Sequence, residues 1–539
     1  MPPGRISSPW TPPYGRATEH GSRCAATAPG SRSWCCTEAL LATLGGAEPD
    51  PVGAVGSLHD LEALAADDGE IGRWSEVSRP ALILQGADTW EPMPATMDRL
   101  AAALPRAEWV VWAGQAHFAT SAAPRPGRGH AAALPRRPRV GQGVRMSVTL
   151  FRDAAMADST GPALRLGVSV LVDADRIRWI GATGDEPDPG PGAEVVDASG
   201  CTIVPGLVDS HSHLTLPGGA HWIDRAFDPP DRLVAAAEHN ARLLRSAGVR
   251  WARDVGSPTG VDPVDGSVRA LALGVRDRWA GHRDYPYVRA AGTWVVRTGG
   301  LPGGLGVEVD DGDALLAAVS RQLDDGADLV KLYLDGPDRE TSPFTVDEVR
   351  AAVGLAHGRG AKVAAHSGLL PGARVGAEAG VDSLEHGFQL DADTARTMAA
   401  NGVALVSTLT VLESWRSFAS TTTVPRFAEP AGRAQTAERK ERAYESVRYA
   451  AAAGVLIAAG TDFGGGSTRA NQLAWEIECL VAAGLQPWQA LAAATRNGGT
   501  LLGEPEAGVI RAGGPADFVL VHGDPLSDPA AMWRVWLVP

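Results

Sequence analysis

The stretch Thr202-Ile-Val-Pro-Gly-Leu-Val-Asp-Ser-His-Ser-His-Leu214 runs from an apolar segment directly into two histidines, His211 and His213. Side chains alternate along a β-strand, so residues at i and i+2 point to the same side. Two imidazoles on one strand face can grip a metal ion together. The motif is short, however, and a pair of polar residues where a strand leaves the core explains it equally well. The surrounding sequence therefore has to decide between these interpretations.

Downstream of this stretch, apolar strand-like runs alternate with helical runs. The predicted helices are 232–245, 313–325, 346–357, 439–452 and 488–494. Alternation of this kind favours parallel pairing and predicts an α/β fold, a (β/α)8 TIM barrel over 202–502. The eight predicted strands are 202–209, 249–254, 286–292, 329–334, 362–366, 383–386, 404–409 and 456–461.

The segments on either side of the barrel have strand character as well. Short alternating runs precede it within 146–201, and strand character returns after it within 503–539. Because the two segments match in character, we expect them to form one small composite β-sandwich.

The first 145 residues differ from the rest in composition. Residues 1–79 are rich in Gly, Pro, Ser and Ala and are predicted to be irregular. Residues 124–145 carry six arginines and no acidic residue among several prolines, which is typical of a linker.

Between them, 80–123 contains two predicted strands, 81–84 and 108–112, followed by Asp88 and His117 at their respective ends. This order resembles the C-terminal end of an α/β-hydrolase, in which Asp88 would be the acid and His117 the base of a triad. No Gly-x-Ser-x-Gly motif precedes them, so we interpret the segment as a non-catalytic remnant.

Composition limits the possible partners. The 539 residues are 44% hydrophobic and 21% charged, as in a globular protein, and no apolar run predicts a membrane span. The net charge of -14 arises entirely within 146–539, which argues against a nucleic-acid partner. Five unpatterned cysteines and no secretory signal predict a reducing, cytoplasmic location. A small-molecule partner is expected, and the oligomeric state, a homo-oligomer included, stays open.

Catalytic side chains of a TIM barrel stand at the C-terminal ends of its strands. Five of the eight predicted strands carry a histidine, lysine or aspartate at or near this end. Each has an ordinary explanation, such as a hydrogen-bonded histidine, a lysine reaching the rim or a helix-capping aspartate. Six such residues at one rim favour a single site. They are His211, His213, Lys331, His366, His386 and Asp462.

Lys331 is the most specific of the six. It interrupts an apolar strand, and the whole chain has only three lysines. An unpaired ammonium is costly to bury, so we expect a neutral or modified amine. A neutral amine can add carbon dioxide to become an anionic carbamate, which bridges two cations, whereas arginine stays charged.

At these residues the chain resembles the metal-dependent amidohydrolase superfamily over about 146–535. Lys331 and the Glu385-His386-Gly387 pattern resemble its prolidase-like or N-acyl-amino-acid-hydrolysing branch, whereas imidazolonepropionase-like members lack the bridging lysine. The other matching pieces are 205–213, Arg253-Asp254 with Gly256, Ala365-His366, Gly460-Thr-Asp462 and the tail 508–526.

The resemblance implies two divalent metal ions, with zinc favoured. His211, His213 and Asp462 would hold the more buried one, while His366 and His386 would hold the other. Carbamylated Lys331 would bridge both.

The implied reaction is attack of a metal-bridging hydroxide on an amide carbonyl, with Asp462 as the general base that then protonates the leaving amine. Tyr333, on the same strand face as Lys331, either donates to the substrate carbonyl or packs at the rim. Arg297 is a candidate for binding a carboxylate, and Arg253 is expected to pair with Asp254 or another acid.

The sequence thus predicts a hydrolase that cleaves an amide C–N bond of a small substrate, an N-acyl amino acid or a dipeptide-like molecule. Two alternatives remain open. One is a mononuclear cyclic amidohydrolase or deaminase, imidazolonepropionase-like, with unmodified Lys331. The other is a catalytically silent protein of the same fold.

Overall fold

The computed structural model describes residues 148–336 and 338–539, together with the backbone of strands 81–86 and 107–112. The chain divides into two units, Met1–Gln142 and Gly143–Pro539.

In the first unit, β1 (Ala81–Gly86) and β2 (Ala107–Trp112) pair in parallel. The predicted strands 81–84 and 108–112 agree with them. Asp88 and His117 lie outside the described residues, as do the predicted irregular segment and the linker, so the α/β-hydrolase resemblance stays a prediction.

The second unit contains short, mostly buried strands. They are β3 (Val148–Met156), β4 (Arg165–Asp173), β5 (Arg176–Ala182), β6 (Glu194–Asp197), β7 (Cys201–Pro205), β8 (Leu207–Ser212), β9 (Val249–Asp254), β10 (Thr259–Val261), β11 (Val268–Ala270), β12 (Tyr287–Ala290), β13 (Val295–Arg297), β14 (Val307–Val309), β15 (Leu329–Tyr333), β16 (Lys362–Ser367), β17 (Ser383–His386), β18 (Ala404–Ser407), β19 (Ile457–Ala459), β20 (Phe518–His522) and β21 (Val535–Leu537).

Helices connect most of the strands after β8, and one 3-10 helix, Pro529–Trp533, precedes β21. The helices are α1 (Trp222–Arg225), α2 (Pro230–Ser246), α3 (Leu271–Trp279), α4 (Gly312–Asp324), α5 (Val346–Gly358), α6 (Leu370–Ala379), α7 (Ala392–Asn401), α8 (Leu409–Phe418), α9 (Pro425–Ala428), α10 (Pro430–Ala453), α11 (Leu473–Ala483), α12 (Pro487–Ala493) and α13 (Arg496–Leu502).

Two parallel sheets carry the strands predicted for the barrel. One has the order β12-β9-β8, and the other has the order β14-β13-β15-β16-β17-β18-β19. Isolated parallel bridges join Ser212 to Phe463 and Ala291 to Leu329, at the two places where these sheets approach each other. The sheets place the C-terminal ends of their strands on one side, as a TIM-barrel-like fold requires.

Local sequence signals fix where the connecting helices begin and end. Asp311 caps α4 by accepting from the Ala314 N–H, and Thr345 forms a capping box with Glu348 at the start of α5. Gly380 ends α6 in the left-handed conformation. The helices then turn apolar faces onto strands that are buried along their length, which is the pattern of a parallel sheet covered by helices.

The segments flanking the barrel share one seven-stranded sheet, β21-β20-β7-β3-β4-β5, with β6 paired to β3. Strand β20 runs antiparallel to β7, from Phe518 opposite Pro205 to His522 opposite Cys201. The composite domain therefore contains strands from both ends of this unit. The second layer of a sandwich stays a prediction.

The strand predicted over 202–209 is two strands, β7 and β8, which belong to different sheets. Gly206 separates them, and its N–H donates to the Asp517 carbonyl at 2.9 Å. A Cβ at this position would lie 2.6 Å from Arg250 Cγ, so the close approach requires glycine.

None of the described helices combines the length and the apolar character needed to cross a bilayer. Two cysteines fall within the described residues, Cys201 and Cys479, and both are buried thiols outside any disulfide. The cytoplasmic location stays a prediction.

Candidate metal centre

His211 and His213 turn the Nε2 atoms of their rings toward Asp462. The Nδ1 atom of His211 lies 2.6 Å from Glu385 Oε2, and Nδ1 of His213 lies 2.7 Å from the Gly256 carbonyl oxygen. Each ring donates its Nδ1 proton to this acceptor, which leaves the Nε2 lone pair free for a metal. The two Nε2 atoms lie 3.5 and 3.1 Å from Asp462 Oδ1.

Asp462 follows β19 with a positive φ of 51°. Its N–H donates to the His211 carbonyl at 2.8 Å, which ties the end of β19 to β8. The glycines after it leave space for the site: a Cβ on Gly465 would lie 2.3 Å from His213 Cδ2, and one on Gly466 would lie 2.4 Å from Asp462 Oδ2. Because Asp462 is not a glycine, its left-handed backbone conformation costs about 1–3 kcal/mol. Strained residues of this kind are common at functional sites.

Glu385 is a buried carboxylate whose role the sequence did not predict. Besides His211, it accepts from Arg253 Nη2 at 2.7 Å and from Ser383 Oγ at 2.5 Å. Burial alone would raise the pKa of Glu385, but the positive charges of Arg253 and Lys331 bring it below the usual value. Arg253 therefore pairs with Glu385, and a carboxylate–histidine pair of this kind orients a metal ligand.

His386 ends β17 beside the same group. Its Nδ1 lies 2.8 Å from Thr408 Oγ1, and its ring centroid lies 4.7 Å from that of His211. Neighbouring strand residues normally point to opposite faces, yet Glu385 and His386 both reach the centre, because His386 has a φ of 70°.

Burial lowers the pKa of His211 and His386 well below the ordinary value. The positive charge of Lys331 adds to this effect at His211, and His366 adds to it at His386. Both imidazoles are therefore neutral at neutral pH, the form that binds metals.

His366 lies on β16, with its ring centroid 4.6 Å from that of His386. Its Nε2 atom lies 3.4 Å from Asp335 Oδ2, and its ring stacks on Tyr333 with centroids 3.8 Å apart. Asp335 in turn accepts from the Gly368 N–H at 2.7 Å. His366 thus borders the centre but turns this nitrogen toward Asp335.

Lys331 is 1% exposed and lies in β15, facing the cavity that the histidines line. Burial lowers the pKa of its amine to about 8, against the opposing effect of the Glu385 carboxylate. About a tenth of the amines would be uncharged at pH 7, far more than for an exposed lysine. The amine is thus closer to the neutral, nucleophilic form than an ordinary lysine.

Tyr333 follows Lys331 by two residues and also lines the cavity. Burial raises the pKa of its phenol, and the Asp335 carboxylate adds to this effect. The hydroxyl is therefore neutral and can donate a hydrogen bond.

Arg297 does not fit the predicted role of binding a substrate carboxylate. Its Nη2 donates to Glu348 Oε1 at 2.8 Å, and its guanidinium lies 4.4 Å from the centroid of the Phe344 ring. The pairing was not visible in the sequence, since Glu348 stands 51 positions later.

The donor set fits a divalent cation. His211, His213 and Asp462 each offer one ligand atom, and these atoms lie within 4.8 Å of one another. Two neutral imidazoles and a carboxylate are ligands that zinc accepts. The other three predicted ligands, Lys331, His366 and His386, border the same cavity but are not part of this group.

The cavity above this group has a volume of ≈ 510 Å³. One part of its lining is apolar and includes Trp222, Trp294 and Leu301. Another part carries the arginines Arg339, Arg426 and Arg439. The cavity is large enough for a small organic substrate beside the candidate metal ligands.

Comparison with known proteins places these features in a family. The model of the amidohydrolase family matches residues 202–537. An uncharacterized protein of Mycobacterium tuberculosis is 33% identical over 372 residues, which cover 67% of this chain and 89% of that protein.

Two further relatives have names that state an activity. The imidazolonepropionase of Anaeromyxobacter sp. (strain K) is 28% identical over 412 residues, covering 69% of this chain and 89% of that enzyme. The crystal structure of a candidate prolidase from Bifidobacterium longum is 25% identical, with a TM-score of 0.62, and the match covers 73% of this chain and 93% of that one. The chain therefore belongs to the amidohydrolase family and is a hydrolase that acts on carbon–nitrogen bonds.

Proposed function

We propose that this protein is a binuclear metal-dependent hydrolase of amide bonds in small substrates, namely N-acyl amino acids or dipeptide-like molecules. Lys331 carries the proposal. It is a buried lysine that lines the same cavity as four histidines and an aspartate, where an uncompensated ammonium would be costly and an anionic carbamate would suit two cations.

In this proposal His211, His213 and Asp462 would hold one divalent ion, and His366 and His386 would hold a second. Carbamylated Lys331 would be a ligand to both. Zinc suits the nitrogen and oxygen ligands. Bound divalent cations lower the pKa of water and polarise a carbonyl.

Asp462 accepts the proton of the attacking water and passes it to the leaving amine, since its carboxylate lies beside the Nε2 atoms of His211 and His213. Tyr333 holds its proton at neutral pH and donates to the substrate carbonyl oxygen. The closed eight-stranded barrel belongs to the same proposal, because it would bring the strand ends to one rim.

The first experiment is a screen of N-acyl amino acids and dipeptides with the full-length protein, before and after treatment with a chelator. Hydrolysis that disappears with the chelator and returns with zinc supports the proposal. Absence of hydrolysis across the zinc-loaded screen would contradict it.

Lys331→Arg tests the bridging role directly. Arginine keeps a positive charge but cannot form the carbamate, so we expect turnover to vanish and the metal content to fall from about two to about one per chain. Thermal unfolding and circular dichroism check that the fold survives. Turnover retained in Lys331→Arg would exclude the carbamate.

A mononuclear cyclic amidohydrolase is the second candidate. Two observations favour it. The group of three ligand atoms does not include His366, and the Nε2 atom of His366 lies toward Asp335. One metal per chain, with no labelled carbon taken up on Lys331 from isotopically labelled bicarbonate, would favour this function over the first.

A further inference from the structure

Two arginines of the cavity wall contact the same aromatic ring, that of Trp415. Arg426 belongs to α9 and Arg439 to α10, and their guanidinium carbons lie 5.8 and 5.7 Å from the centroid of the Trp415 ring. The ring attracts each cation. An anion that reaches either guanidinium would add a charge-assisted hydrogen bond to this contact.

Neither guanidinium has a carboxylate partner within 4.0 Å in the described part of the chain. The neighbours of Arg439 on α10 differ in this respect. Lys440 pairs with Glu413 at 2.7 Å, and Arg442 pairs with Glu438 at 2.7 Å. Lys440 and Arg442, which do not line the cavity, thus have an ion-pair partner, whereas Arg426 and Arg439 have none among the described residues.

Arg439 is also half-buried. Burial lowers the pKa of its guanidinium, Arg339 adds to this effect, and Asp335 opposes it from beyond ion-pair distance. Arginine stays charged nonetheless. The wall therefore holds a partly desolvated positive charge that a bound anion would stabilise.

The apolar residues of the cavity lining indicate that the ligand also has an apolar group. Trp222, Trp294, Leu301 and Leu305 form an apolar part of the same cavity. Trp415, Arg426 and Arg439 also border a smaller cavity of ≈ 140 Å³, which gives an anionic group room beside the main one. A ligand that satisfies the whole lining has a carboxylate at one end and an apolar group at the other.

We propose that Arg439 and Arg426, stacked at Trp415, bind the carboxylate of an N-acyl amino acid whose apolar part lies against Trp222 and Trp294. The inference rests on the proposed amide hydrolase function and names the residues that would bind the carboxylate of its substrate. The two arginines are specificity residues that select an acid over its neutral amide.

The test measures binding, which does not depend on turnover. The probe is the methylene isostere of N-acetylphenylalanine, in which CH2 replaces the amide NH so that it cannot be hydrolysed, and the comparison ligand is its carboxamide. Calorimetry compares the zinc-loaded protein with Arg439→Gln, Arg426→Gln and Arg442→Gln. The last variant is the matched control, since it removes an arginine of the same helix that has a surface partner.

We expect the unaltered protein to prefer the acid by about tenfold to a hundredfold, the range for hydrogen bonds to a charged group. Arg439→Gln and Arg426→Gln should each reduce this preference, and Arg442→Gln should leave it unchanged. Equal binding of acid and amide, binding of neither, or an unaltered preference in both cavity variants would overturn the inference.

The outcome separates this inference from the proposed function. Hydrolysis of neutral amides without preference for the acid would leave the hydrolase standing and remove the carboxylate site. Selective binding of the acid without metal-dependent hydrolysis would do the reverse.

Discussion

The two halves of the candidate centre differ in how firmly the surrounding protein orients them. In the first half, His211, His213 and Asp462, both histidine Nδ1 atoms are held by an acceptor, and the ligand atoms already face one another. The second half consists of Lys331, His366 and His386.

In that second half only His386 has a short Nδ1 hydrogen bond, to the neutral hydroxyl of Thr408. The Nε2 atom of His366 lies 3.4 Å from Asp335 Oδ2. The difference indicates that the fold alone assembles the first half. In the proposed binuclear centre, carbamylation of Lys331 would complete the second half by adding the anion that draws its histidines onto a second cation.

The largest effect is expected from Asp462→Asn. This change keeps the size of the side chain but removes the proton acceptor and a charged ligand of the first half. Turnover should fall by roughly 10²–10⁴-fold, the usual contribution of a general acid–base group. Steady-state kinetics on any substrate from the screen would measure it.

Tyr333→Phe serves as its counterpart beside the second half, since the Tyr333 ring stacks on His366. It deletes one neutral donor, worth about 0.5–1.5 kcal/mol or about tenfold, so its effect on turnover should be smaller. An Asp462→Asn enzyme that is as active as Tyr333→Phe would contradict the role given to Asp462.

The first half was more accessible to sequence reasoning than the second. The period of two along a strand places His211 and His213 on one side, and their ring centroids lie 5.3 Å apart. The strand-end rule brings Asp462 to the same rim. The predicted strands 249–254 and 383–386 coincide with β9 and β17.

Other features depend on tertiary contacts that no local pattern contains. The φ of 70° at His386 breaks strand alternation, so that the His386 and Glu385 side chains both point to the centre. The Arg253–Glu385 pair joins positions 132 apart. Strands β13 and β14 escaped prediction because each has three residues in a glycine-rich region, where pairing with a neighbour decides the conformation.

The next largest effect is expected from Glu385→Gln. It removes the charge that holds the His211 proton and leaves the buried Arg253 without its anion. Metal affinity should fall by about 10–100-fold, the usual loss for a residue that orients a ligand. The free energy of unfolding should fall by up to about 3–5 kcal/mol, as when one partner of a buried ion pair is removed.

Thr408→Val is the matched change in the second half, because it removes the hydrogen bond to His386 without exposing a buried charge. Zinc titration and urea unfolding of the two variants make the comparison. Equal losses of zinc affinity and stability in both variants would show that the protein orients the two halves equally firmly.

The smallest effect is expected from alanine at two glycines. A Cβ on Gly466 would lie 2.4 Å from Asp462 Oδ2 and 2.6 Å from Val411 Cγ2, so the carboxylate has to move. Crowding of this kind costs about 1–3 kcal/mol, and the loss of zinc affinity should stay near the lower limit for an orienting residue, about tenfold.

Gly368→Ala is the control in the second half. Its Cβ would lie 3.4 Å from Asp335 Oδ2 and 3.6 Å from Phe388 Cδ2, which are ordinary contacts. This variant should therefore keep its first metal, its stability and its turnover. If Gly368→Ala lost zinc while Gly466→Ala kept it, the firmly oriented half of the centre would be the one around His366, and Asp335 would be the residue that orients it.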